Sequence, residues 1–207
     1  MGMEKAIALL SGGIDSPVAI HLMKSRLEII AAHFHQIPLT SEKELEKVKQ
    51  LCTILQIKKL YLIPFAAVLK ELISNCNNKD YFILSKIMML KTAEQIAVKE
   101  RASYLITGEN VGQVSSQTLS NLTTITQHLA MTIFRPVLTF DKQEIIDLAK
   151  KIGTYETSSG PEICCLLGPK HPSTKSDHKK IGKELEKIDV DRLIKVALEK
   201  AEAVDLK

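Results

Sequence analysis

The sequence predicts an α/β protein with a doubly wound, mostly parallel sheet of five strands. Three observations carry that prediction. Short runs rich in apolar and β-branched residues alternate with runs of helical period along most of the chain. Several of the short runs, such as Ala6-Ile7-Ala8-Leu9-Leu10, are apolar without a break, the pattern of a strand buried on both faces. A glycine turn, Ser11-Gly12-Gly13-Ile14-Asp15-Ser16, joins the first strand to the first helix, at the carboxyl end where parallel sheets bind ligands.

The elements follow in order. Ala6–Leu10 is the first strand, and Ser16–Lys24 the helix after it. Glu28–His35 is the second strand, followed by a helix over Ser41–Leu55 whose Val48, Leu51, Cys52 and Leu55 recur at helical spacing. Lys59–Pro64 is the third strand. Helices are predicted over Phe65–Ile73 and Tyr81–Arg101. Ser103–Thr107 is the fourth strand, Ser115–Leu129 a helix and Thr132–Leu138 the fifth strand. Asp141–Ile152 reads as a helix with Asp141 as its N-cap. Thr154–Lys175, rich in proline and glycine, reads as a loop. Asp177–Lys207 reads as charged and helical, with Leu193, Ala197, Ala201 and Val204 on one stripe for packing or oligomerisation. The expected division is a main domain over residues 1–175 and a helical tail over 176–207.

The chain has 207 residues, 45% hydrophobic and 25% charged, enough for a full core without disulfides. No apolar run approaches the ~20 residues that span a bilayer, and the first residues do not read as a signal peptide, so a cytoplasmic location is expected. A net charge of +4 is compatible with a nucleic-acid substrate and equally with a solvated, lysine-rich surface. Aromatic residues make up only 4%, so stacking of bases on an aromatic platform is not the expected mode. The four cysteines, Cys52, Cys76, Cys164 and Cys165, include no CxxC pair and do not form a zinc pattern.

The glycine turn is built for an anion. Gly12 and Gly13 let backbone N–H groups approach without Cβ interference, and the following helix adds free donors and the positive end of its dipole. Ser11 and Ser16 supply hydroxyls. Asp15 is out of place beside phosphates unless Mg²⁺ lies between them. The turn lacks the Gly-Lys-Ser/Thr ending of a Walker loop and the third glycine of the dinucleotide fingerprint.

SGGIDS directly after the first strand resembles the PP-loop of the ATP pyrophosphatase superfamily, whose fold is Rossmann-like and adenine nucleotide alpha hydrolase-like. Later segments narrow the resemblance. They are His33-Phe34-His35 with Thr40-Ser41-Glu42, Thr107-Gly108-Glu109-Asn110 through Gln117-Thr118, Arg135-Pro136, Asp141-Lys142, and Pro161-Glu162-Ile163-Cys164-Cys165. Together these resemble the catalytic domain of the tRNA 4-thiouridine synthetase family, also named for thiamine biosynthesis, over about residues 5–175.

The resemblance implies roles. Leu9 and Leu10 would flank the nucleotide with their backbone, and Ser11, Gly12, Gly13, Asp15 and Ser16 would hold the pyrophosphate of ATP, with Asp15 on Mg²⁺. His33 and Phe34 would border adenine or ribose, and Gly108 and Gln117 would complete the site. Lys142 matches the family's catalytic lysine beside the phosphates, and Cys164 its catalytic cysteine, the carrier of a persulfide. Lys86 stands where the family usually has a nucleotide-contacting arginine; it keeps the charge and loses the planar fork. Phe82 and Ser85 occupy the positions of a CxxC pair frequent in the archaeal branch, so an iron–sulfur route is not expected.

The implied activity is ATP-dependent sulfur transfer to a tRNA uridine: adenylylation of the carbonyl oxygen, then persulfide attack. The family's RNA-binding THUMP region has no counterpart before the first strand, so tRNA is expected to be held through a separate RNA-binding subunit or the basic tail. A persulfide donor such as a cysteine desulfurase and a second copy in a homodimer complete the expected partners. A PP-loop enzyme acting on a small molecule and an ATP-binding subunit of a modification complex are the alternatives.

Overall fold

The structure, a computed structural model, describes residues 2–39, 41–111, 116–159 and 168–206. The chain runs β1 (Lys5–Leu9), α1 (Asp15–Met23), β2 (Glu28–His35), α2 (Lys43–Leu55), β3 (Lys59–Pro64), α3 (Ala66–Asn75), α4 (Tyr81–Glu100) and β4 (Tyr104–Ile106). It continues α5 (Leu119–Gln127), β5 (Thr132–Phe134), α6 (Lys142–Lys151), α7 (Tyr155–Ser158), α8 (His178–Leu185), α9 (Val190–Glu199) and β6 (Glu202–Asp205). The sheet order is β5-β4-β1-β2-β3-β6, with every pairing parallel except that of β3 with β6.

Strand side chains alternate between two cores. Ile7, Leu9, Ile30, Ala32, Tyr61 and Ile63 face the layer of α3, α4 and α9. Ala6, Ala8, Leu10, Ile29, Ala31 and Leu60 face the layer of α1, α2 and α6. Burial on both faces is what the unbroken apolar strands require, and it makes the sheet doubly wound as predicted. Cys52 lies fully buried among the second set, and burial pushes its thiol up to about 12, so it is core rather than chemistry.

Two differences from the sequence reading have physical causes. The sheet has six strands rather than five, because the last residues are not a continuation of the tail helix. Leu193, Ile194 and Ala197 of α9 do bury against α3 and α4, but α9 ends at Glu199, and Val204 pairs with Leu60 of β3. β3 would otherwise leave its ladder groups unpaired at the sheet edge. The fifth strand is shorter than Thr132–Leu138 because Pro136 has no N–H for a ladder, and Arg135–Leu138 forms a hydrogen-bonded turn (Leu138 N to Arg135 O, 3.1 Å). Within the segment read as loop, Tyr155–Ser158 is a short helix.

Asp141 caps α6 as predicted. Its carboxylate accepts from Glu144 N at 2.8 Å, and Glu144 Oε2 accepts from Asp141 N at 2.8 Å, a full capping box. The cap fixes the helix start from which Lys142 projects. Asp141→Ala should lower unfolding free energy by about 1 kcal/mol in urea titrations, with no change in the denaturant slope.

Candidate functional site: the loop at the switch point

The strand order reverses at β1: the chain moves outward to β2 and β3, then returns to β4 on the other side. The crevice at such a reversal, outside the carboxyl ends of the strands, is where doubly wound sheets bind ligands. The Ser11–Ser16 loop leaves β1 there. Its two hydroxyls fold it back on itself. Ser16 Oγ accepts from Ser11 N at 2.9 Å and lies 3.1 Å from Ser11 Oγ, and Ser11 Oγ accepts from Gly13 N at 3.2 Å. Ile14, the residue before α1, provides no side-chain cap, so the first N–H groups of α1 are left for a ligand.

Gly108, just past β4, closes the crevice from the other side. A Cβ on it would lie 2.5 Å from Ser16 N and 2.6 Å from Ser16 Cα, a distance no real Cβ tolerates. Only glycine lets β4 and the start of α1 come this close. Lys142 arrives from α6, with Nζ 3.3 Å from Asp15 Oδ1. The structure thus brings Ser11, Gly12, Gly13, Asp15, Ser16, Gly108 and Lys142 to one place.

Leu9 and Leu10 are buried, and their backbone forms the end of β1 beneath the loop. His33 is buried beside them, and its Nδ1 donates to Leu10 O at 2.9 Å. A carbonyl oxygen can only accept, so Nδ1 carries a proton, and Nε2 faces Glu44 of α2 at 3.8 Å. Burial holds its pKa below the ordinary value and outweighs the bond to Leu10 and the Glu44 charge. His33 is a strut under the loop. Phe34, half-buried near the end of β2, packs edge-on to Phe65, with ring centroids 4.9 Å apart, against the hydrophobic core.

The segment after β4 is held by a buried ion cluster. Glu109 is almost fully buried; Arg135 Nε donates to its Oε2 at 2.7 Å, Thr107 Oγ1 at 3.0 Å, and Lys86 Nζ lies 3.8 Å from Oε1. Burial opposes its ionisation, but the Lys86 and Arg135 charges and the two hydrogen bonds outweigh burial and hold the carboxyl below its usual range. Lys86 is therefore spoken for by Glu109, and the planar fork it lacks is present in Arg135. Asn110 donates to Val137 O and Phe140 O at 2.7 and 2.6 Å, and Gln117 Oε1 accepts from Asn110 N at 2.8 Å. Gln117 thus shapes the rim of the crevice. Cys164 and Cys165 lie outside the described residues.

Sequence reasoning passed over Glu109 and Arg135 as functional positions, and also Lys47 of α2. The only signal for the first two was a charged residue next to Gly108 and an Arg-Pro after the fifth strand. Among the described residues no group of three or more His, Cys, Asp or Glu is arranged for a metal. A divalent ion here would rest on Asp15, the phosphates and water, the usual arrangement for Mg²⁺. Among the described residues no helix is long and apolar enough to cross a membrane.

The SGGIDS loop at the switch point of a doubly wound, mostly parallel sheet is the arrangement of a PP-loop ATP pyrophosphatase fold. Two solved structures share this fold at low identity: NMN synthetase from Francisella tularensis (16% identical, TM-score 0.60, covering 95% of this chain and 82% of that one) and NH3-dependent NAD synthetase from Campylobacter jejuni (19%, TM-score 0.58, 97% and 86%). The family model described as thiamine biosynthesis protein (ThiI) matches residues 2–190, and the chain belongs to that family. A probable tRNA sulfurtransferase of Alkaliphilus oremlandii is 43% identical over 205 residues, covering 96% of this chain and 52% of that protein. One from Thermoanaerobacter pseudethanolicus is 45% identical over 197 residues, covering 92% and 52%. A 4-thiouridine synthetase solved in complex with RNA and bound ATP is 34% identical, with a TM-score of 0.94 over 99% of this chain and 55% of that one. The chain spans about half the length of the curated relatives it matches.

Two outcomes follow. Gly108→Ala should cost about 1–3 kcal/mol of overpacking against the backbone of Ser16 and weaken binding of inorganic pyrophosphate, read by calorimetry. Folded His33 refuses a proton that the unfolded chain accepts below about pH 6.5. Its contribution to stability is therefore full above that pH and is lost as pH falls toward the lowered folded-state value. The urea midpoint should fall between about pH 7.5 and about 5.5, and His33→Gln should flatten part of that fall.

Proposed function

We propose that this chain is the activating and sulfur-transferring part of an ATP-dependent tRNA sulfurtransferase that forms 4-thiouridine. The observation that carries the reading is the similarity, at TM-score 0.94 and 34% identity over nearly the whole chain, to a 4-thiouridine synthetase solved with RNA and ATP. The site supports it: a folded glycine loop, an uncapped helix start and Lys142 paired with the one carboxylate of the loop.

The uridine carbonyl oxygen is a poor leaving group. Its attack on the α-phosphorus of ATP expels pyrophosphate and links the oxygen to AMP. The loop Ser11–Ser16 holds the departing pyrophosphate, and Lys142 offsets charge that develops in the transfer. Asp15 would hold Mg²⁺, which would supply positive charge beside the phosphates. Lys142, 3.3 Å from Asp15, would turn to a phosphate once that carboxylate had a metal partner. The terminal sulfur of a persulfide on Cys164 then attacks the activated carbon, and AMP leaves with the oxygen. A second thiol attacks the Cys164 sulfur, breaks the S–S bond, leaves the sulfur on the uridine and forms a disulfide that an external dithiol reduces. The persulfide is supplied by a donor such as a cysteine desulfurase. The tRNA is gripped by an RNA-binding region outside the described residues, on the same chain or a separate subunit, and the enzyme works in the cytoplasm as a homodimer. Residues 1–175 carry the catalytic residues, and 176–207 are not the separate helical tail expected, since α8, α9 and β6 complete the same core and sheet.

Purified protein with ATP, Mg²⁺, a persulfide donor and unmodified tRNA should release pyrophosphate only when tRNA is present. ATP turnover indifferent to tRNA would sink the tRNA reading and leave a small acceptor, in keeping with the family's thiamine name. Asp15→Ala should remove ATP turnover altogether. Cys164→Ser should still release pyrophosphate but give no thiolated tRNA on mass spectrometry; full thiolation by that variant would exclude Cys164.

A further inference from the structure

Lys47, on α2, belongs to no motif that marks the nucleotide site, yet its side chain lies along the loop. A Cβ placed on Gly12 would stand 3.2 Å from Lys47 Cδ, 3.4 Å from Cε and 3.4 Å from Nζ. The stem and the ammonium therefore lie over the open face of Gly12, and a side chain there would press on them. The bare position serves two approaches, that of an anion and that of Lys47.

The ammonium is poorly matched for a half-buried cation. Among the described residues its hydrogen-bond partner is one neutral oxygen, Ser158 O at 3.1 Å, and no carboxylate pairs with it. Some lysines of the same fold pair with carboxylates, Lys59 at 2.7 Å from Glu100 and Lys180 at 2.9 Å from Asp80. Others, such as Lys24 on Leu55 O and Gln56 Oε1, rest on neutral oxygens as Lys47 does, and what sets Lys47 apart is its place against the loop. Ser158 itself is 2% exposed, and among the described residues its hydroxyl has no partner. The Lys47 ammonium, held by one carbonyl, thus lies beside a loop whose uncapped helix start already carries positive potential. These two positive groups repel, and a polyanion between them would offset both.

We infer that Lys47 is a second pyrophosphate-binding lysine, reaching the loop from the side of Gly12 while Lys142 reaches it from the side of Asp15. This rests on the reading of the loop as an ATP site. In the ligand-free protein Lys47 holds Ser158 at the end of α7. With a pyrophosphate present, the ammonium exchanges the carbonyl for a phosphate oxygen, a stronger, charge-assisted partner. The flexible stem suits that exchange, since the two partners need not share one direction.

Calorimetry with inorganic pyrophosphate plus Mg²⁺, and separately with AMP, tests this on wild type, Lys47→Met and Lys47→Arg. Methionine keeps the stem over Gly12 and removes the charge. Lys47→Met should weaken pyrophosphate about tenfold or more while AMP stays within about twofold, and Lys47→Arg should recover most of the loss. Equal weakening of both ligands means that Lys47 only tethers α7, and unchanged binding of both means that it does not reach the site; either result overturns the assignment. If Lys47→Met does not fold, Lys47→Gln carries the same comparison. Wild type that binds neither pyrophosphate nor ATP overturns the nucleotide reading itself, a failure distinct from loss of the lysine's role.

Discussion

The approach of Gly108 to the backbone of Ser16 is the contact on which the site depends. A doubly wound sheet opens a crevice wherever its strand order reverses, and left open it would be filled by water. Here the end of β4 comes within van der Waals reach of the first turn of α1. That pins the loop between two strands that are hydrogen-bonded to each other, β1 and β4. Other side chains reach the loop from elements packed on this junction: Lys142 from capped α6, Lys47 from α2, and His33 from the strand β2 below.

Charge is sorted around that junction. The loop side collects the α1 N-terminus, Lys47 and Lys142 against a single carboxylate, Asp15. The β4 side buries Glu109 among Arg135, Lys86 and Thr107. A buried ion cluster of this kind adds little net stability, because desolvation offsets most of the attraction. What it does is fix direction: Glu109 can satisfy its partners in one arrangement, so the backbone of Gly108 next to it has one position too. An anion-hungry loop thus sits beside an anion already fully committed.

Most of this was legible in the sequence because it is written in local patterns. The apolar runs of β1, β2 and β3 and the helical spacing of α2 and α4 place those elements to within about two residues. Asp141 signals its own helix start. The glycine loop is legible because its chemistry needs contiguous residues. The rest depends on contacts far apart in the chain. Lys47 is an ordinary lysine on an ordinary helix face, and only the fold sets it against Gly12. Glu109 and Arg135 are 26 positions apart and meet only because β4 and β5 pair. The last strand was missed because Ala201 and Val204 continue the stripe of α9, and nothing local tells a helix from a strand over so few residues.

That last strand has a consequence for how the molecule behaves in a crowd. Without β6, the open flank of the sheet would be β3, with Leu60 and Leu62 in a row and half its backbone groups unpaired. Such a flank accepts any passing strand. β6 covers it and becomes the flank instead, four residues long with Glu202 and Asp205 at its ends. The opposite flank, β5, has only three. Two copies meeting along β6 would set carboxylates near carboxylates over a ladder too short to hold them. A short acidic strand thus disfavours sheet-to-sheet association along this flank and leaves any pairing of copies to another face of the molecule.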